Sequence, residues 1–364
     1  RLEFQAIKYK EYMRWIVKTI HPKPANDEVS KIFGWVVDKK DPPSDRARIR
    51  DMIAKKEIAG NEALARAIDC GLPWEIVRAN VSLDSVDASL FREAVRKIFS
   101  GFDIAMQLAT IVRKLGIDEA LKVVSSRLDH IPLAPLYRAT VGILLSDRYS
   151  YETKSFARKL EEIARPRAEE VLSRFKSVVK SDIASRIIAL IDVSGSMMGR
   201  RIRAVVEMLA PIYRAIDRFY VFSGEGFAGM RFEEVVIRSV DDVVGLTLLP
   251  RGGTPLWDAL RTVGTIARRE DAMLLVFTDE QENVSTSTPL DVEEVLKDVP
   301  TIVVNPAPYP TDFIPKERGK IVGLPGSDIN AVLAGARILE LQNIVQTEGR
   351  IELDALAKLG YISI

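Results

Sequence analysis

From Phe4 to about Lys180 apolar residues return every third or fourth position, and Pro, Gly, Asn or Asp breaks the pattern at short intervals. This periodicity gives each of a series of short helices one apolar stripe. The predicted helices are Phe4–Ile20, Asp27–Asp38, Ser44–Ile58, Glu62–Ala67, Trp74–Ala79, Val86–Phe99, Ile104–Leu115, Asp118–Leu128, Ala134–Leu145 and Tyr151–Lys180. The last carries Pro166, whose missing N–H and ring clash favour a kink. Helices this short can bury their stripes only against their neighbours, which predicts an all-α solenoid of HEAT type.

After Ser181 the pattern changes to short, almost wholly apolar runs alternating with helices. Strands are predicted at Ile187–Val193, Phe219–Phe222, Glu234–Arg238, Met273–Thr278, Thr301–Val304 and Ile321–Gly323, with a further strand-like stretch at Val243–Leu249. Helices are predicted at Ile202–Ile216, Pro255–Arg268, Val292–Lys297 and Ile329–Leu341. Strands without polar alternation are covered on both faces, and intervening helices supply the crossovers of a parallel sheet. The second half is therefore predicted as a doubly wound α/β domain, in which ligands bind beyond the carboxyl ends of the strands. The expected organisation is a helical module over 1–180, the α/β domain over 181–342, and a C-terminal helix (Glu352–Leu359) with an apolar tail over 343–364.

The strand ends carry the candidate chemistry. Asp192-Val-Ser194-Gly-Ser196 follows the first strand, Gly252-Gly-Thr254-Pro opens a later helix, and Thr278-Asp279 ends the most apolar strand. Asp192, Ser194, Ser196, Thr254 and Asp279 offer carboxylate and hydroxyl oxygens to one crevice. Such hard donors suit Mg²⁺ or Mn²⁺ in roughly octahedral array. Taken separately the three loops are ordinary turns and helix caps. Soft metal sites are excluded on composition, since the chain holds one cysteine (Cys70) and two histidines (His21 and His130). Cys70 is expected to be a small buried hydrophobe, and it leaves no internal disulfide to form.

The net charge of +1 hides an asymmetry: residues 1–180 hold 33 Lys+Arg against 25 Asp+Glu, and the remainder 19 against 26. A basic helical half suits a phosphate-rich partner, although an excess of this size also occurs on plain solvated surfaces. The candidate phosphate contacts are Arg46, Arg48, Arg50, Lys55 and Lys56, then Arg92, Arg96, Lys97, Arg113 and Lys114, with Arg174 and Lys176 further on. Tyr9, Tyr12, Trp15, Trp35 and Trp74 are either base-stacking platforms or core. No apolar run approaches the length of a membrane span, and the first residues lack the order of a secretory signal, so a cytoplasmic protein is expected. The sequence offers no Ser-His-Asp order and no phosphate loop with its Lys, so no enzyme is expected. Glu280 and Glu282 are the residues that could activate a metal-bound water.

Asp192-x-Ser194-x-Ser196, then Thr254, then Asp279 resembles the metal-ion-dependent adhesion site of von Willebrand factor A domains, over residues of about 184 to 341. The resemblance implies that Ser194, Ser196 and Thr254 hold Mg²⁺, that Asp192 and Asp279 act largely through water, and that a partner's carboxylate completes the shell. A basic helical module leading through a long helix into such a domain resembles the TROVE-module Ro proteins. Leu72-Pro-Trp-Glu75, Leu108 to Gly116 and Phe277-Thr-Asp-Glu280 are similar to stretches of that family. That resemblance implies a ribonucleoprotein component, with Y-like noncoding RNA on the basic outer surface of a helical ring and single-stranded ends of misfolded RNA in its hole. This chain departs from the family in the length of its helical part, about half of what a one-chain ring takes. The alternative function is a metal-dependent protein adaptor, such as a partner of AAA+ ATPases.

Overall fold

The computed structural model describes residues 1–225, 229–307, 320–327 and 329–348; the predicted helix Glu352–Leu359 and the tail after it lie outside the described residues. The chain divides into two compact units, Arg1–Pro132 and Leu133–Ile364. The division falls earlier than the change of periodicity near residue 180. Helices Leu133–Leu145 and Tyr151–Asp182 therefore belong to the same compact unit as the sheet.

The first unit is a run of short helices, among them Leu2–Lys8, Lys10–Ile20, Asp27–Val36, Asp45–Ala54, Gly60–Cys70, Trp74–Asn80, Ala88–Lys97, Leu108–Leu115 and Ile117–Ser125. Side chains fix several of their starts. Asn26 accepts from the Val29 N–H at 2.9 Å, Ser44 from the Ala47 N–H at 3.2 Å, and Ser100 forms a reciprocal capping box with Asp103. The single helix predicted over Phe4–Ile20 is two, because Tyr9 adopts φ −123° and ψ 38° between them. Helices neighbouring in sequence or one apart pack together, and Trp74 lies stacked on Phe99 with centroids 4.0 Å apart. This is the solenoid logic that the short periodic stripes imply.

The second unit is built on a six-stranded sheet: β1 (Arg186–Asp192), β2 (Arg218–Glu225), β3 (Gly229–Val235), β4 (Ala272–Phe277), β5 (Thr301–Asn305) and β6 (Ile321–Pro325). Their order is β3-β2-β1-β4-β5-β6, parallel except for β3. The alternating Glu-rich edge strand β3 pairs antiparallel with β2, so the sheet is mixed at that edge and not wholly parallel. β1 and β4 are buried on both faces apart from Arg186. On one face Ile188, Leu190, Leu274, Val276 and Val303 meet Leu256, Leu260, Val263 and Leu296 from helices Leu256–Glu270 and Pro289–Leu296.

The strand-like stretch Val243–Leu249 is helical instead: helix Val240–Gly245 runs into a short 3-10 turn at Leu246–Leu248. The paired valines favour a strand locally, but Ser239 and Asp242 form a capping box that starts a helix in front of them. Helix Tyr151–Asp182 continues through Pro166. Among the described residues no helix is long and apolar enough to cross a membrane.

Candidate functional site

The strand order reverses between β1 and β4, which lie side by side with Ile191 opposite Phe277. A crevice opens beyond the carboxyl ends of strands at such a switch point. Asp192 ends β1 and Thr278-Asp279 follows β4, so backbone register alone brings two of the three predicted loops together. The Thr278 hydroxyl donates to Asp192 Oδ2 at 2.8 Å, and the Ser194 N–H donates to Asp192 Oδ1 at 2.8 Å. Asp192 is wholly buried, and burial pushes its carboxyl up to about 7, against the hydrogen bonds that favour its charge.

The loop over 250–255 is laid across these ends by main-chain bonds. Arg251 N–H donates to Val193 O at 2.9 Å, Gly195 N–H to Gly252 O at 2.9 Å, and Gly224 N–H to Gly253 O at 2.7 Å. Gly252 has φ +75°, and a Cβ there would stand 1.9 Å from the Gly224 carbonyl oxygen. No other residue type fits this crossing without moving β2. Thr254 follows and is buried. Its N–H donates to Asn283 Oδ1 at 2.8 Å and its carbonyl accepts from Asn283 N–H at 3.3 Å, which ties the loop to the segment after β4.

All three loops are thus joined by hydrogen bonds, and the predicted donors occupy one end of the sheet. Asp192, Ser194, Thr254 and Asp279 are buried, and Ser196 is half-buried. The hydroxyls of Ser194 and Ser196 lie 3.0 Å apart. Two adjacent oxygens bonded to Mg²⁺ at about 2.1 Å and a right angle stand about 3.0 Å apart, so the pair has the spacing of neighbouring ligands. With hydroxyls and two carboxylates and no nitrogen or sulfur donor, the residues present fit a hard cation. Among the described residues no three His, Cys, Asp or Glu side chains converge as a metal group. A hydroxyl-rich set with two carboxylates is a different kind of centre from such a cluster.

Several residues that build the site are not among the five candidate ligands. Thr278 and Asn283 bond to predicted donors or their backbone, and Arg201 donates to the Ser196 carbonyl at 2.7 Å and to Asp279. Their positions at strand ends and at a helix start were the available signal. Glu282 builds the third loop: its carboxylate accepts from the N–H groups of Trp257, Val284 and Ser285 at 3.0, 2.9 and 2.8 Å and from the Ser285 hydroxyl at 2.6 Å. Glu280 is buried at φ +55°.

The predicted phosphate contacts separate into two groups. Arg46 donates to the Cys70 carbonyl at 2.6 Å, Arg50 to the Ile7 carbonyl at 3.0 Å and Asp51 at 3.0 Å, and Lys114 to the Val86 carbonyl at 3.2 Å. These cations tie helices of the first unit to one another. Arg48, Lys55, Lys56 and Arg113 are exposed, Arg48 beside Asp45 at 3.5 Å. Arg92 and Arg96 share Glu119 at 3.1 and 3.9 Å, and Lys97 pairs with Glu93 at 2.7 Å. The side chains of Arg174 and Lys176 lie outside the described residues. The aromatic candidates divide as cleanly: Trp35 and Trp74 are core at 1% exposure each, whereas Tyr12 and Trp15 are 73% and 63% exposed. Cys70 is half-buried, with its thiol 3.6 Å from the Ala67 carbonyl, and so is less enclosed than expected.

No family model matches the sequence, and no curated protein matches it. Among solved structures the chain is similar to the crystal structure of the Deinococcus radiodurans RO (RSR) protein, with a TM-score of 0.62 at 16% identity. The match covers 93% of this chain and 74% of that one. The two share a fold, a helical part followed by a mostly parallel α/β sheet, as the Ro resemblance in the sequence leads one to expect.

Proposed function

We propose that the chain is an RNA-binding protein of the Ro kind, in which the helical part engages noncoding RNA and the strand-end loops hold Mg²⁺ or Mn²⁺. The observation that carries this reading is the likeness to a Ro protein across 93% of the chain. Charge supports it, since residues 1–180 carry 33 Lys+Arg against 25 Asp+Glu. The excess is shared between both compact units: 1–132 hold 23 against 19, and 133–180 hold 10 against 6. Phosphate contacts of this sort add modestly and are released by salt. The RNA class is a structured small noncoding RNA or the single-stranded end of a misfolded one, handled in the cytoplasm.

In the α/β unit Ser194, Ser196 and Thr254 would hold the ion, and Asp192 and Asp279 would act through its water. A bound divalent ion supplies an exchangeable position for an acidic side chain of a protein partner. Asp192 and Thr278 orient the first loop, and Asn283 fixes Thr254 against the third. The chain binds its ligands and carries out no reaction on them.

The test is nucleic acid carried through purification from the native host, followed by crosslinking and sequencing of the bound RNA. Protein purified with and without RNase should differ in ultraviolet absorbance ratio, and affinity should fall steeply with salt. Protein free of nucleic acid at low and high salt alike would instead favour the adaptor, a metal-dependent partner of an AAA+ ATPase.

A further inference from the structure

Helix Lys10–Ile20 is turned inside out. Of its 11 residues only Lys10 is buried, at 4% exposure, while Tyr12, Trp15 and Ile20 face solvent. A surface helix ordinarily does the reverse, and a lysine is almost never enclosed unless it is paired. Here the partners of the ammonium group are Asp51 at 3.0 Å, Asp38 at 3.3 Å and the Trp35 ring, whose centroid is 4.4 Å away. Asp51 also accepts from Trp35 Nε1 at 2.7 Å, so the seat of the lysine is itself fixed. This buried network sets the rotation of the helix, and with it the outward direction of the aromatic face.

Tyr12, Trp15, Ile16, Thr19 and Ile20 recur at the three- and four-residue spacing of one helix face. Exposed rings suit either the bases of a single strand or a second apolar helix face. A stacking platform needs cations that track the phosphates. Around these rings the cations are met by carboxylates: Lys8 by Glu75 at 2.6 Å, and Arg14 by Glu11 at 3.1 Å and by Asp38. Glu11 also lines the same hollow as Tyr12 and Trp15, where it would repel a phosphate. The face is instead complementary to itself. Glu11 and Lys18 stand four residues before and three after Trp15 on one side of it, and Tyr12 and Thr19 three before and four after on the other. In an antiparallel pairing of two such helices about Trp15, each Glu11 meets the second copy's Lys18 and each Tyr12 its Thr19, with the indole rings at the twofold axis. We propose that this face is the contact between two copies of the chain. A helix of 11 residues is about 16 Å long, so the contact is small and the dimer dissociates in the micromolar range.

The experiment is sedimentation equilibrium of the full chain, freed of nucleic acid, from about 1 to 200 µM. The unaltered protein should pass from monomer to dimer across that range, and Tyr12→Ser with Trp15→Ser should raise the dissociation constant at least about tenfold. Glu11→Lys and Lys18→Glu should each raise it about threefold or more, and the two together should restore it, because the exchanged charges meet again across the axis. All four side chains are exposed, and circular dichroism melts establish that each variant is folded. The charge exchange tests the contact wherever the ring variant does not fold. A monomer at every concentration, or a dimer that the ring substitutions leave intact or the charge exchange fails to rescue, would overturn the proposal. Tight binding of oligouridylate by the monomer, lost with Tyr12→Ser and Trp15→Ser, would assign the rings to RNA bases instead.

Discussion

The two compact units hold their polar chemistry in different ways. At the strand ends of the second unit, Asp192, Thr254 and Asp279 come from distant stretches of chain and are fixed by main-chain bonds such as Gly195 N–H to Gly252 O. On the helices of the first unit, cations with the same spacing in the sequence meet different fates. Arg50 reaches the Ile7 carbonyl and Asp51 at 14% side-chain exposure, whereas Arg48, two residues away, is 64% exposed. Strand register dictates where a loop residue must stand, and helix surfaces leave the fate of an arginine to whatever packs beside it.

The largest expected effect is at the crossing of loops. Gly252→Val forces a side chain into positive φ and onto the Gly224 carbonyl, and should destabilise the chain by about 3 kcal/mol or more, read by urea denaturation. Thr278→Val removes the donor to Asp192 Oδ2 and should weaken Mg²⁺ binding about tenfold with the fold retained, read by calorimetry.

The Asp192 carboxyl gives a pH signature. Its value rises on folding from 3.8 to about 7, so its protonated form favours the folded state. That contribution is complete below about pH 3.8 and is lost as pH rises through about 7. Metal-free protein should therefore melt at lower temperature at pH 8 than at pH 5.5, and Asp192→Asn should flatten that slope. Mg²⁺ competes with the proton and should bind more weakly as pH falls below about 7.

Smaller effects distinguish the helical cations. Arg50→Ala should cost about 1 to 3 kcal/mol of stability, since it leaves the Ile7 carbonyl and the partly buried Asp51 short of a donor. Arg113→Ala should stay within about 0.5 kcal/mol, and together with Lys55→Ala and Lys56→Ala it should lower the salt slope of RNA binding by about 1 per contact.

Much of the α/β unit was legible in the sequence because both-face burial writes continuous apolar runs, as in Met273 to Phe277. The gathering of Asp192, Ser194, Ser196, Thr254 and Asp279 at one end of the sheet is legible because each stands just after a strand or just before a helix. Val243–Leu249 misled because local β propensity is weaker than the Ser239–Asp242 box in front of it. The roles of Arg201, Thr278 and Asn283 are hidden because they are hydrogen bonds across 78, 86 and 29 residues of chain, which no local pattern records. The fates of Trp35 and Trp15 were hidden likewise, since both fit a helical stripe and only packing places one in the core at 1% exposure and the other outside at 63%.

If the three loops at one end of the sheet make a single hard-cation centre, the chain takes up one ion and loses it with its hydroxyl ligands. Calorimetric titration of Mn²⁺ into the full chain, beside a variant with Ser196→Ala and Thr254→Ala, tests it most directly. One ion per chain is expected for the unaltered protein and none for the double variant with its fold intact. Uptake that is absent from the first, or equal in both, would contradict it.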